Sequence, residues 1–399
     1  MLDSLLQFAA HGLANAGWLA IVLYILVTTQ LTNFAVTLYL HRSQAHRGVD
    51  FHPVVAHFLR FWNWLGTGMV TKEWVAVHRK HHAHCETELD PHSPRVFGIR
   101  KLLFEGSELY RAAAANREDL VKYGRGTPDD WVERHLYTPH PYWGVSLLAV
   151  VDVLLFGVLG IAVWAVQMAW LPFWGAGVVN GLGHWWGYRN FETTDTATNL
   201  TPWALWLGGE ELHNNHHAFP SSAKFALRKF EVDAGWVVIR VLEKAGLAKV
   251  LRVAPSLDER PNVSLPDMVT LKALLVHRFE AMTDYYKTVI KPTVREQSNA
   301  EGTRRFGAMT RHRLRRALAT GGRWLDKTGK ARFAAVVEKR PRLQQINDYR
   351  ARLAALMEQR RPENALAALQ QWCREAEASG NRKLVEFALR LKRYAVAKA

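Results

Sequence analysis

The longest apolar stretch of the chain, residues 17–40 (GWLAIVLYILVTTQLTNFAVTLYL), runs 24 positions without a formal charge. As a helix it is long enough to cross the roughly 30 Å hydrocarbon layer of a bilayer. It would deliver His41 to one membrane face. A second apolar stretch, Gly144 to His184, is interrupted by Asp152, Gln167 and Asn180 and carries glycines at 157 and 160. It reads as a hairpin: a short span, a turn at Gly157–Gly160, and a longer returning helix with Asn180 and His184 at its far end. Residues 53–70 (PVVAHFLRFWNWLGTGMV) also look like a span, but contain His57, Arg60 and Asn63, each unfavourable in lipid. If this segment crossed, the polar clusters on either side of it would lie on opposite faces. It is therefore expected to be an interfacial or protein-covered helix, its tryptophans at headgroup depth. From Leu271 onward the pattern becomes one of basic amphipathic helices broken at Gly321-Gly322, Pro341 and Gly380. The expectation is an all-α, multi-pass membrane protein with three spans and a helical C-terminal extension.

Charge divides the chain in the same place. Residues 1–250 hold 21 Lys/Arg against 21 Asp/Glu, whereas residues 251–399 hold 31 against 15 and carry the whole net charge of +16. Two domains, 1–250 and 251–399, are expected to join near Val253-Ala254-Pro255. Residues 1–16 have no Lys or Arg and residues 41–142 have 14, so the positive-inside rule puts the histidine-bearing face in the cytoplasm and the N-terminus outside. Two cysteines, Cys85 and Cys373, are too few for a disulfide framework or a four-thiolate cluster and fit a reducing compartment. The first apolar run is too long for a cleavable signal and lacks its flanks. Gly181-x-Gly183 follows no strand, so it is not a dinucleotide loop.

Histidine is the unusual residue. Of 18 histidines, 16 precede residue 218, and the pattern His-x-x-His-His occurs at 78-HRKHH-82 and 213-HNNHH-217. Positions i, i+3 and i+4 share a helix face, so His78, His81 and His82 are expected to converge on one point, and His213, His216 and His217 on another. His41 and His46 (41-HRSQAH-46) are five apart, poor for one helical face, and are expected to reach different metals. His184 adds a ninth imidazole, with Asn180 four residues before it as a water-mediated amide. Nine imidazoles exceed one tetrahedral zinc and fit two metals of higher coordination, for which iron is the common redox choice. The soluble di-iron scheme of two Glu-x-x-His motifs is not met, because only Glu210-Glu211-Leu212-His213 offers one. His84 and Cys85 flank the second cluster. The remaining histidines, among them His92, read as ordinary surface or capping residues.

Taken with its context, this pattern resembles the membrane-bound fatty acid desaturase family, particularly its acyl-CoA Δ9 (stearoyl-CoA-like) branch of bacterial type. The three histidine boxes match 41-HRSQAH-46, 78-HRKHH-82 and 213-HNNHH-217, and the surrounding words 73-EW-74, 90-DPHSPR-95 and 180-NGLGHWWGYRN-190 fit as well. The resemblance covers roughly residues 17–250. It implies two irons held by His41, His46, His78, His81, His82, His184, His213, His216 and His217, with Asn180 through water. It also implies an oxygen-dependent desaturation of a buried saturated acyl chain, most simply cis-Δ9 on acyl-CoA. An acyl-lipid desaturase or a fatty acyl hydroxylase would use the same centre. Where animal members carry an Arg-Asp pair for the coenzyme A headgroup, this chain has Ala76-Val77, so the carrier stays open between coenzyme A, carrier protein and lipid. Apolar walls must exclude water and orient the chain; Trp74, Trp185 and Trp186 are the expected substrate contacts, with Trp62, Trp64, Trp203 and Trp206 as further wall candidates. A metal transporter would need ligands inside the spans, and a nucleic-acid partner is excluded by those spans despite the basic tail. The chain has no His-Pro-Gly-Gly haem motif and no cluster-binding cysteines, so electrons must come from outside, from a ferredoxin, a rubredoxin or a reductase. The expected location is a bacterial inner membrane with the active site on the cytoplasmic face.

Overall fold

The computed structural model describes residues 2–359 and 361–397. The chain divides into two compact units, one of residues 1–189 with 195–254, the other of residues 190–194 with 255–399. Strands among the described residues are limited to four two-stranded ribbons of two or three residues each; the antiparallel pair Val49–Phe51 with Ala248–Val250 is one.

In the first unit two helices are long and apolar enough to cross a membrane, Trp18–Ala45 and Leu159–His184; Pro141–Phe156 is apolar but shorter. The outward faces of these helices are bare hydrocarbon: Leu19, Leu23, Val27, Leu147, Val150, Leu154 and Ile161 are all exposed. Several of their polar residues turn inward and bond to one another. Tyr24 donates its hydroxyl to Asp152 Oδ1 at 2.7 Å, and the Gln167 amide donates to Thr28 Oγ1 at 3.0 Å. Such bonds are the usual lot of polar groups between apolar helices. The turn between the second pair of helices falls at Gly157, whose φ of +63° suits glycine.

Pro53–Thr67 is a separate helix and is not among those long and apolar enough to cross. Protein satisfies its polar residues: Arg60 pairs with Asp130 at 2.7 Å, and Asn63 donates to the Ala35 carbonyl at 3.1 Å. The helix therefore never presents a bare charge to lipid.

The first long helix changes its winding. Trp18–Ala35 is α-helical, but Val36–Ala45 is a π-helix, in which His46 N donates to His41 O at 3.1 Å. In an α-helix residues five apart diverge by about 140°, whereas i to i+5 bonding stacks them one above the other. This segment is anchored by Arg42, which is 1% exposed. Its guanidinium makes a two-pronged pair with Asp233 at 2.8 and 3.0 Å and donates to the carbonyls of Gly208 and Ala223. Gly209, at φ +110°, leaves no room for a Cβ, which would fall 2.1 Å from Arg42 Nη2. Removing one member of a fully buried ion pair leaves an uncompensated charge. Arg42→Ala is therefore expected to lower unfolding stability by about 3–5 kcal/mol in detergent-solubilised protein, with part of the loss recovered by adding Asp233→Asn. No recovery would mean that packing, not the stranded carboxylate, dominates.

The second unit is helical, with breaks where the sequence places them. Arg311–Thr320 ends at Gly321 (φ +65°), Pro341 opens Pro341–Met357, and Gly380 (φ +69°) separates Pro362–Ala378 from Arg382–Leu391. Its core holds Tyr285, Phe306, Leu314, Trp372, Phe387 and Leu391. Cys373 lies in that core as an apolar neighbour, its thiol pushed up to about 12 by burial.

Candidate metal centre

Four segments of the first unit bring the nine box histidines together: the π-wound end of the first helix, the helix Thr71–His84, the short 3₁₀ turn Leu182–His184, and the six-residue helix His213–Ala218. The imidazoles sort into two groups. In the first, Nε2 atoms follow one another from His46 to His78 (2.8 Å), His78 to His82 (3.1 Å), His82 to His216 (2.9 Å) and His216 to His41 (3.0 Å). Ligand atoms of these five lie within 4.8 Å of one another. In the second, His81, His184 and His217 gather with the Cys85 thiol, and His213 joins through a 3.0 Å Nε2–Nε2 contact with His184.

This partition corrects two expectations. His41 and His46 do not reach different groups: their rings are 5.0 Å apart in the same one, because the π winding stacks them. Nor does each triplet converge on one point. On Thr71–His84 the i, i+4 pair His78 and His82 faces the first group while His81, at i+3, turns to the second. On His213–Ala218 the order is reversed, with His213 and His217 in the second group and His216 in the first. Each helix lies between the two centres and serves both.

Carboxylates set the tautomers. His41 Nδ1 meets Glu210 at 2.7 Å, His81 Nδ1 meets Asp90 at 2.9 Å, His184 Nδ1 meets Glu86 at 3.1 Å, and His217 Nδ1 meets Asp195 at 2.9 Å. A carboxylate accepting from Nδ1–H leaves Nε2 as a lone-pair donor directed at the centre. Sequence reading missed all four. Asp90 lay in the quoted 90-DPHSPR-95, nine residues from its partner, and Glu210 was considered only as half of a Glu-x-x-His motif.

Burial holds His46, His78, His82, His213 and His216 well below the ordinary imidazole value, so all five are neutral. Burial also takes His217 down to about 4 against the pull of Asp195. In His81 burial acts the same way, but the Asp90 carboxylate outweighs it and the pKa rises. Neutral imidazoles whose lone pairs face each other at 2.8–3.1 Å cannot all satisfy one another, since each ring has one proton to give. His217 Nε2 and the Nδ1 atoms of His213 and His216 are buried without a hydrogen-bond partner. This donor set fits cations. Cys85 Sγ lies 3.8 Å from His81 Nε2 and 3.9 Å from His184 Nδ1, but burial raises the thiol well above its usual range, and a protonated thiol is a weak ligand. His84 turns away to the Tyr123 hydroxyl at 2.9 Å. His92, read from sequence as unremarkable, stacks on His81 with ring centroids 4.4 Å apart, and burial takes it down to about 3.

A cavity of about 580 Å³ opens beside the histidines, its wall including His41, His78, His213, Glu210 and Asn180. Most of the remaining lining is apolar, with Val36, Trp74, Val77, Val145, Trp164, Met168 and Leu171. Trp74 lines the cavity and stacks on His78, with centroids 4.8 Å apart. Trp185 and Trp186 do not line this cavity; they are 47% and 67% exposed, because the tight turn that buries His184 throws the next two side chains outward. Trp164 takes the wall position instead. Trp62 and Trp64 pack in a separate apolar cluster, while Trp203 and Trp206 are exposed.

Helices fit to cross a membrane, buried histidine groups able to hold metal ions and an adjoining apolar cavity are the class of features this chain brings together. The sequence profile of the fatty acid desaturase family matches residues 16–236, and the chain belongs to that family, whose members are oxidoreductases. It is 29% identical over 281 residues to the Delta-9 acyl-lipid desaturase 2 of Arabidopsis thaliana, covering 64% of this chain and 83% of the relative. It is 31% identical over 280 residues to an acyl-CoA 5-desaturase of Anemone leveillei, covering 66% and 79%. It is 29% identical over 248 residues to the sn-1 stearoyl-lipid 9-desaturase of Anabaena variabilis, covering 60% and 87%. These relatives differ in acyl carrier and in double-bond position.

Proposed function

We propose that the chain is an oxygen-dependent fatty acyl desaturase that places a cis-Δ9 double bond in a saturated chain. Two irons would be held by His41, His46, His78, His82 and His216 on one side and by His81, His184, His213 and His217 on the other, with Asn180 contributing through water. The observation that carries this reading is the meeting of two buried imidazole groups with one apolar cavity. When bound, the irons supply the two-electron reduction of dioxygen and the oxidant needed to remove hydrogen from an unactivated methylene, which no side-chain base can deprotonate.

The protein's own residues do the rest. Glu210, Asp90, Glu86 and Asp195 hold the imidazoles in the donor tautomer. Trp74, Val77, Trp164 and Met168 exclude water and confine the acyl chain, so that one carbon pair is presented at the histidine end of the cavity. Acyl-CoA is the first candidate substrate. Acyl-lipid is a second reading, favoured by Ala76 and Val77: these are 0% and 5% exposed and cannot grip a headgroup where an Arg-Asp pair would. Electrons come from an external ferredoxin, rubredoxin or reductase. The histidine face is assigned to the cytoplasm of a bacterial inner membrane.

Gas chromatography of fatty acids from a desaturase-deficient host expressing the chain tests the reading, together with iron analysis of the purified protein. New cis-Δ9 monounsaturated chains and about two irons per polypeptide are expected. A hydroxylated product would favour the hydroxylase alternative, and absence of iron would overturn the reading. Labelling of newly made acyl-CoA and of glycerolipid pools separates the carriers by which becomes unsaturated first.

A further inference from the structure

Between residues 302 and 337 the second unit carries ten Lys/Arg and a single acid, Asp326. That acid is already engaged as the N-cap of the helix Lys327–Glu338, accepting from Gly329 N. Elsewhere in this unit several basic residues are neutralised locally, among them Arg340 by Glu301 (2.8 Å), Arg390 by Asp284 (3.2 Å), Lys392 by Glu377 (2.9 Å) and Arg393 by Glu259 (3.0 Å). By contrast, Arg304, Arg305, Arg313, Lys327, Lys330 and Arg332 are exposed and, among the described residues, make no ion pair.

These side chains stand on an ordered surface. The hairpin Arg305–Phe306 with Met309–Thr310 feeds directly into Arg311–Thr320, with Arg311 N bonded to Arg304 O at 3.0 Å and Thr310 capping the helix. Phe306, Met309, Leu314 and Leu318 pin that helix in the core. The Arg313 guanidinium reaches the first turn of Lys327–Glu338, beside Gly329, so the two basic segments are neighbours. None of the exposed large apolar side chains among the described residues falls within 302–337, which leaves the face without the inserting groups that help a surface settle into lipid. Arginine predominates there, and its planar fork suits carboxylates.

Resting on the desaturase reading, the reaction sets what must come to the protein. Forming CH=CH from CH₂–CH₂ with one O₂ gives two waters only if two further electrons and two protons are taken up. The chain's two cysteines, one of them buried in the core, offer no carrier for those electrons. We propose that the face formed by Arg304, Arg305, Arg313, Lys327, Lys330 and Arg332 docks an acidic, soluble one-electron iron–sulfur protein, two reduced equivalents of which are consumed per double bond. Opposite charge accelerates such an encounter at low ionic strength and loses its effect as salt screens it.

The test uses the full-length holoenzyme and a plant-type [2Fe–2S] ferredoxin as probe, comparing wild type with Arg305→Glu/Arg313→Glu/Lys330→Glu and with the milder glutamine triple. Ferredoxin binding is measured directly, apart from turnover, so that loss of the dock is distinguishable from failure of the desaturase assignment. The glutamate triple is expected to raise both the dissociation constant and the half-saturating ferredoxin concentration about tenfold or more at low salt. It should flatten their salt dependence and leave kcat at saturating ferredoxin unchanged, with the glutamine triple intermediate. Unchanged binding and half-saturation in both variants would overturn the proposal. If the variants lose only binding to vesicles containing anionic phospholipid, the face belongs to the membrane surface. If they raise only the half-saturating concentration of an acyl-carrier-protein substrate, it belongs to the acyl carrier.

Discussion

His216→Ala is expected to abolish desaturation, with a loss on the order of 10³-fold or more, as when one member of a unit that acts as a whole is removed. The imidazole of His216 stands between His41 at 3.0 Å and His82 at 2.9 Å, so its removal opens the first group in the middle. The remaining four donors come from two different helices and keep only the 2.8 Å contact of His46 with His78 between them. Iron per polypeptide should fall by about half or more, while the amount of membrane-inserted protein stays the same, because the residue sits on a six-residue helix away from the apolar runs. Iron analysis of purified protein and fatty acid profiling of the expressing host check both halves. Retained activity in this variant would sink the two-metal assignment.

The second large effect is expected from a residue that faces no metal. Glu210→Gln keeps the shape of a side chain whose Oε1 meets His41 Nδ1 at 2.7 Å and accepts from Thr37 at 2.5 Å, but removes its charge. A neutral amide still accepts the Nδ1 proton, yet makes the imidazole a poorer donor. Loss of such an outer partner typically costs 10–100-fold in metal affinity or activity. The variant should therefore release iron to a chelator about 10–100-fold faster at near-native thermal stability. Glu211→Gln is the control: Glu211 accepts from the backbone of Leu207 and Gly209, so its substitution should disturb that turn and leave iron retention alone. Equal iron loss in both variants would reduce Glu210 to a structural role.

The legible part of this protein was local. Uncharged runs of spanning length, the breaks at Gly321, Pro341 and Gly380, and the histidine boxes are all properties of short windows, and the helices form where those windows place them. The carboxylates that orient the imidazoles were not legible, because three of the four pairs are far apart in sequence: Glu210 and His41 are 169 residues apart, Glu86 and His184 98, Asp195 and His217 22. The assignment of histidines to two groups failed for a different reason. Periodicity says which residues share a face, but not that a helix lies between two centres and divides its triplet. Trp185 and Trp186 were misplaced by composition, since an aromatic next to a ligand can face either side of a tight turn, and here both face outward.

The π winding of Val36–Ala45 also bears on how this segment can change over evolutionary time. A histidine can be exchanged and restored by point mutation, but the register between His41 and His46 depends on the number of residues between them. Deleting any one of Arg42, Ser43, Gln44 or Ala45 would bring the two histidines to a spacing that ordinary α-helical winding already aligns, removing the need for the wider coil and shortening the segment that seats Arg42. Inserting one would rotate His46 out of the group by roughly a quarter turn or more at α-helical pitch. Length at this point is therefore constrained as well as identity, and descendants should tolerate substitutions at Ser43, Gln44 and Ala45 more readily than insertions.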